Sequence, residues 1–407
     1  MLFLILVIFS QRILIPMDNS QINHLRAYGA IYNLLLKGIN VEWLLYYRGG
    51  SFLIDASEEV KKMCIDFGVS FEMISDLETA ILYDKIEKNN MNRIILETAP
   101  KLAVYIPPYA EPWDDAVTLA LEYAKVPYSR IYDEEIIKGE LKNYDWLHMH
   151  HEDFTGQYSK FYPAYGNTEW YREMVETDKK IARKLGFRNT QELKREVAVR
   201  IREFVRNGGF LFSMCLAPTT MDIALAAKDV DICDTPYDSS PPDLDANNKL
   251  DYKECIAFEN FKVYTSYLVN EHSDIDVSDE AILRGPESYF TLFEFSAKYD
   301  PVPSMLVQNH VNAVKEFLGR DTGFRKNLLK PRVVILGEVN GTDEVKYIYG
   351  SFGKGFFTYL GGHDPEDYQH FIGDPPTDLS KYPNSPGYRL ILNNILFPAS
   401  QPRKLKT

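Results

Sequence analysis

The chain is poor in cysteine. Its 407 residues hold four, Cys64, Cys215, Cys233 and Cys255, and no two of them stand in a CxxC spacing. That excludes a zinc ribbon and a disulfide-dense scaffold, and leaves free buried thiols as the expectation. Basic runs are scarce too. Lys and Arg total 45 against 58 Asp and Glu, a net charge of -13, which argues against a nucleic-acid surface. The one basic stretch, within residues 401–407, reads as a solvated tail. No HExxH or comparable metal-ligand spacing is present, and nothing resembles a cofactor-binding motif, so no cofactor is expected. Apolar runs of membrane-spanning length are missing as well. What the chain does have is aromatic and aliphatic bulk, with 27 Tyr, 23 Phe and 45% hydrophobic residues. That suits a packed core of two or three lobes rather than a disordered chain.

The N-terminal run Met1-Leu2-Phe3-Leu4-Ile5-Leu6-Val7-Ile8-Phe9 has the length of a signal h-region, without a basic n-region. It reads as a signal peptide over residues 1–11, which places the mature chain outside the cytoplasm. The competing reading is a buried first strand running into Arg12–Pro16, which leaves the chain cytoplasmic.

Beyond it, strand and helix patterns alternate. Arg12–Met17 reads as a strand, Ser20–Lys37 as an amphipathic helix with Leu25, Tyr28, Tyr32, Leu35 and Leu36 near one face, and Val41–Tyr47 as the next strand. The cycle restarts at Lys101–Pro107, with a helix over Trp113–Ala124 and strands near Tyr128–Tyr132 and Trp146–Met149. This alternation predicts an α/β fold: a mainly parallel sheet with helices on both faces, flavodoxin-like in its core. An N-terminal α/β unit over 12–100 precedes a core over 101–400, with insertions at about 157–190 and 231–330. Lys346–Tyr349 and Gly355–Leu360 read as a hairpin turned at Gly353-Lys354-Gly355.

In such a fold ligands bind beyond the carboxyl ends of the strands. Three polar groups fall there. The first is Cys215, after the apolar run Phe210-Leu211-Phe212 and before a helical pattern: the layout of a nucleophile elbow, with the helix dipole beside the thiol. The second is Gly361-Gly362-His363-Asp364-Pro365-Glu366, where two glycines permit close backbone approach and His363 is a general base that Glu366 or Asp364 orients. The third is His148-Met149-His150-His151-Glu152-Asp153. On a strand, His148 and His150 point to one face and His151 to the other. His150, His151, Glu152, Asp153, Thr155 and Gly156 are expected to line the pocket, with Thr155-Gly156 supplying backbone donors. A metal held by His150, His151, His363 and His370 is the alternative use of these histidines.

At these residues the chain resembles the class I glutamine amidotransferase-like superfamily, which carries a G-x-C-L-G elbow and a later H-P-E. Here the elbow reads Ser213-Met214-Cys215-Leu216-Ala217 and the later motif His363-Asp364-Pro365-Glu366. Small residues replace both glycines, and the His–Glu spacing is one residue longer. The resemblance implies an oxyanion loop at His151–Gly156. Tyr349–Asp364 also resembles the end of the trehalose-utilisation-type branch of that fold, which is linked to sugars. Nearly the whole chain is similar to a bacterial family often labelled asparagine synthetase B, through Ile13–Asp18, Pro112–Ala120, His150–Gln157 and Gly361–His370. The label's chemistry needs an N-terminal cysteine nucleophile and an SGGxDS-type ATP loop, and this sequence has neither.

The expected function is a cysteine-dependent hydrolase or amidotransferase-like enzyme acting on a small-molecule amide or ester. Cys215 attacks, His363 moves the proton, and Glu366 holds the histidine. The rival is a non-catalytic module that binds a small ligand, with Tyr158, Tyr162, Tyr165, Trp170 and Tyr171 available to stack on a sugar.

Overall fold

The computed structural model describes residues 11–301 and 303–400. The signal-peptide reading and the basic tail concern residues outside that range, apart from Gln11, which opens the first strand. Five strands form a small sheet: β1 (Gln11–Ile15), β2 (Val41–Leu45), β3 (Ser51–Asp55), β4 (Glu72–Ser75) and β5 (Asn92–Leu96). Their order is β4-β1-β3-β2-β5, and every pairing is antiparallel. The strand–helix–strand pattern of residues 12–47 does not make a parallel pair here. A third strand, β3, returns through the tight turn after Leu45 and inserts between β1 and β2.

Ten strands form the large sheet. They are β6 (Leu102–Tyr105), β7 (Ser129–Ile131), β8 (Trp146–Met149), β9 (Phe210–Met214), β10 (Tyr289–Leu292), β11 (Ala313–Lys315), β12 (Phe324–Arg325), β13 (Val334–Glu338), β14 (Glu344–Phe352) and β15 (Gly355–Leu360). The order runs β11-β10-β13-β14-β15-β9-β8-β6-β7, with β12 against β14. From β15 to β7 every pairing is parallel, which is the α/β core. The rest of the sheet is an antiparallel extension, in which β14 and β15 form the hairpin legible in the sequence. Residues 231–330 supply β10, β11 and β12, so much of this stretch widens the sheet.

β9 shows why the core is parallel and covered. All five of its residues are buried. Phe210, Phe212 and Met214 enter one apolar core with the helices Ala116–Tyr123 and Pro386–Leu396, while Leu211 enters another with the helices Thr190–Arg206 and Ala217–Ala226. Alternate residues of one strand thus bury against helices on opposite faces, and the strand reads as an unbroken apolar run. The first core continues through Tyr28, Trp43 and Phe52 into the small sheet. No helix among the described residues is long and apolar enough to cross a membrane.

Candidate functional site

The carboxyl ends of four neighbouring strands, β15, β9, β8 and β6, converge on one polar cluster. Each strand hands over to a short turn that carries chemistry: Gly361–Asp364 after β15, Cys215 after β9, His150–Asp153 after β8, and the loop to Asp114 and Asp115 after β6. This is where an open α/β sheet binds its ligands.

Cys215 sits at the elbow. Its backbone is left-handed, at φ 51, in the single residue between β9 and the turn into the helix Ala217–Ala226. A non-glycine residue is held there only where its surroundings enforce it. The Ala217 N–H donates to the His150 carbonyl (3.0 Å), and the Arg320 N–H donates to the Cys215 sulfur (3.3 Å). The side chain is 1% exposed, and burial pushes its thiol up to about 12. The sulfur and one ring nitrogen each of His150 and His363 lie within 4.8 Å of one another.

His150 is the better placed of those two histidines to act with the thiol. Its Nδ1 lies 3.3 Å from Asp115 Oδ1, while His148 Nε2 lies 3.5 Å from Asp115 Oδ2. Asp115 caps the helix Ala116–Tyr123, accepting from the Val117 and Thr118 amides. Burial raises the Asp115 carboxyl, but His148 and His150 outweigh it and hold the group well below the usual carboxylate range. Burial lowers His150 to about 4, so it is a neutral imidazole at pH 7.

His363 has different company. Its ring stacks on His370 at 4.6 Å and lies edge-on to His150 at 4.7 Å, and its Nε2 has no hydrogen-bond partner among the described residues. Burial drives its pKa well below the ordinary value. Glu366, expected to orient it, turns elsewhere, with its carboxyl hydrogen-bonded by Ser385 and its amide donating to Asp364. Asp364 is fully buried beside Tyr388 and Thr377. Both acids are thus engaged elsewhere and neither bonds His363 Nε2, so a Cys215–His363–Glu366 relay is not assembled. The two glycines behave as their sequence position suggests. A Cβ on Gly361 would lie 2.3 Å from the Thr322 carbonyl oxygen, and Gly362, at φ 89, has the Phe317 carbonyl oxygen 2.6 Å from its Cβ position.

The loop after β8 is braced from within. The Thr155 and Ser159 amides both donate to Asp153, which also faces His272 at 3.3 Å, and the His150 amide donates to Glu152. The Thr155 donor expected to serve an oxyanion is therefore engaged by Asp153. Gly156 lets the loop touch the helix Thr190–Arg206, since a Cβ there would meet Gln191 Cα at 2.7 Å. Burial raises Glu152 to about 8. His151 turns the other way, with Nε2 3.1 Å from Glu111. Burial opposes its charge, but Glu111 prevails and raises it to about 9.

Glu111, Asp114, Asp115 and Arg320 were not singled out from the sequence. The signal for Asp114 and Asp115 was present: an Asp pair directly after a strand and before an Ala-rich helix is an N-cap at a fourth strand end. Arg320 carried no such signal, because its segment arrives from residues 231–330 and clamps the site through long-range contacts. The aromatic residues Tyr158, Tyr162, Tyr165, Trp170 and Tyr171 pack mainly on one another and on Phe161 and Trp113, with Trp113 edge-on to His151 at 5.3 Å. Under this cover the open space beside His151, Glu152 and Tyr109 is a cavity of about 30 Å³. A larger cavity, about 990 Å³, lies at the opposite, amino ends of the strands, against Phe210, Phe356 and Phe397, and touches none of the cluster.

No protein-family model matches this sequence, and no curated protein matches it. Among solved structures, the chain is similar to two cytoplasmic proteins of Salmonella typhimurium. STM3548 is 11% identical at a TM-score of 0.33, over 73% of this chain and 97% of that one. STM1381 is 11% identical at a TM-score of 0.35, over 74% and 99%. Gan42B, a GH42 β-galactosidase from G. stearothermophilus, is 12% identical at a TM-score of 0.29 over 66% of this chain, which spans only 28% of that enzyme. These values describe a partial overlap of architecture, and no chemistry passes from those proteins to this chain.

Proposed function

We propose that this protein is a cysteine hydrolase acting on an amide or ester of a small molecule, with Cys215 as nucleophile, His150 as general base and Asp115 as the group that positions the base. The observation that carries the reading is the left-handed elbow at Cys215, whose sulfur lies near an imidazole that stands 3.3 Å from a carboxylate. The resting pair is a neutral thiol and a neutral imidazole. On attack the sulfur bonds to the substrate carbonyl carbon as His150 takes the thiol proton. His150 then returns that proton to the leaving amine or alcohol, and water hydrolyses the thioester. Asp115, 3.3 Å from Nδ1, stabilises the imidazolium that forms in between. The helix Ala217–Ala226 starts beside the sulfur, and its dipole favours the negative charge that develops there. Entry requires the aromatic cover around Trp113 to move, a lid-like step common in enzymes of this kind.

The test uses p-nitrophenyl acetate with the full chain. The expected result is release of nitrophenol and an acetyl group trapped on Cys215 by rapid acid quench and mass spectrometry. Cys215→Ala should abolish both while the near-ultraviolet circular dichroism stays that of the wild type. Undiminished turnover in a folded Cys215→Ala protein would end this reading.

A further inference from the structure

Beside the thiol lies a second group of side chains that the proposed hydrolysis does not use. Asp114, His363 and His370 bring one ligand-type atom each to within 4.8 Å of the others. They come from different parts of the chain, the loop after β6 and the turn after β15. All three side chains are close to nine-tenths buried or more: His363 is 6% exposed, and the side chains of His370 and Asp114 are 5% and 12% exposed.

Their hydrogen bonding does not close among the described residues. Asp367 Oδ2 lies 2.9 Å from His370 Nδ1 and accepts its proton, which turns Nε2 toward Asp114. That Nε2 sits 3.1 Å from Asp114 Oδ1, yet the two atoms are not aligned for a hydrogen bond. Neither carboxylate oxygen of Asp114 has a hydrogen-bond donor among the described residues, and neither has His363 Nε2. A buried imidazole nitrogen and carboxylate oxygen at this distance, with no hydrogen bond between them, each lack the partner that burial demands. Two atoms bonded to one ion at about 2.0–2.2 Å stand about this far apart. The neighbouring acid makes the contrast. Asp115 carries the same carboxylate, but two helix amides donate to its Oδ1.

We infer that Asp114, His363 and His370 form a site for a divalent first-row transition metal, with Asp367 as the outer carboxylate that fixes the His370 tautomer. Two histidines and one carboxylate suit zinc or iron(II) and leave coordination positions open. A carboxylate on the far ring nitrogen of a ligating histidine is the usual outer support of such a site. A competing trio, His150, Cys215 and His363, is less suited, because its sulfur already accepts the Arg320 amide. The metal site does not depend on the hydrolase reading, because Cys215 and His150 are not among its ligands.

The experiment takes the full-length protein, measures its metal content as purified, strips it with a chelator, and titrates it with zinc by calorimetry and with cobalt(II) by absorption. The expected result is one ion per chain, with no thiolate-to-cobalt charge-transfer band. Asp367→Asn should weaken zinc about 10–100-fold. His370→Ala and the near-isosteric Asp114→Asn should remove the site, and Cys215→Ser should leave zinc affinity unchanged even where it has abolished hydrolysis. Thermal unfolding of each stripped variant identifies any that fails to fold, and Asp367→Asn, altered outside the ligand set, keeps the test decisive. A charge-transfer band that disappears in Cys215→Ser would overturn the assignment in favour of the thiol trio. Wild-type affinity in folded Asp114→Asn and His370→Ala would overturn it outright, as would no zinc binding by the folded wild type.

Discussion

Asp114 and Asp115 are chemically alike and adjacent, yet the backbone sends them to different work. Position 115 is a helix N-cap, so its carboxylate is anchored by two amides and faced by two histidines. Position 114 precedes the cap and points at His370. If Asp115 positions His150, Asp115→Asn should lower kcat/KM on p-nitrophenyl acetate by about 10⁴-fold, the loss seen when a base is left in the wrong tautomer. Glu366→Gln should stay near wild type, because that carboxyl faces Ser385. Equal damage from both variants would restore His363 as the base. The thiol makes a second prediction. With burial holding it at about 12, resting Cys215 should react with iodoacetamide at pH 7 more slowly than free cysteine, and labelling faster than free cysteine would mean a standing thiolate.

At the scale of elements, the site depends on close backbone contact between the turn after β15 and residues 317–323. The His363 amide donates to the Leu318 carbonyl and the Gly362 amide to the Asp321 carbonyl. Lys346, buried on β14, donates to the Phe317 and Thr322 carbonyls and pins the same segment. Gly362→Ala forces a Cβ into Phe317 from a left-handed backbone, and should cost about 1–3 kcal/mol in urea unfolding while displacing His363. Unchanged stability would mean that the segment yields. A second brace joins the helix Thr190–Arg206 to the strand ends. Lys194 Nζ is 2.9 Å from Asp133 and donates to the hydroxyls of Tyr105 and Tyr132. Lys194→Met would strand the buried Asp133 charge, and a loss of about 3–5 kcal/mol is expected in the same assay.

For the whole molecule, a pair of buried neutral histidines contributes to the pH dependence of stability. His24 and His310 stack at 4.5 Å beside Arg389. Burial first, and the Arg389 charge second, lower them to about 3 and about 4. An unfolded histidine titrates near 6.5, so from about pH 6.5 down to about 3–4 the unfolded chain binds protons that the folded chain refuses. The contribution of this pair is therefore full above that window and is lost as pH falls through it. Buried acids held above their ordinary range, Glu152 and Glu344 among them, act in the opposite sense, so the pair is read by difference: the wild-type melting temperature should fall relative to that of His310→Gln as pH drops from about 6.5 to 4. A difference that does not change with pH would contradict this account.

Local periodicity determined much of the architecture. The run Phe210–Met214 before a helical pattern, the hairpin around Gly353-Lys354, and the parallel covered core were all legible, because strand and helix periods are properties of neighbouring residues. So was the meeting of Cys215 with the His148–His151 and His363 turns, since strand ends of one parallel sheet share an edge. Partner choice among the side chains was decided only by tertiary structure. Which histidine faces the sulfur, which acid backs it, and that Arg320 closes the site depend on rotations about single bonds and on contacts between residues far apart in the chain, 105 positions for Arg320 and Cys215. The antiparallel order of the small sheet has the same origin. Strand pairing is chosen by the surface that each pairing buries, and alternation along the chain does not encode it.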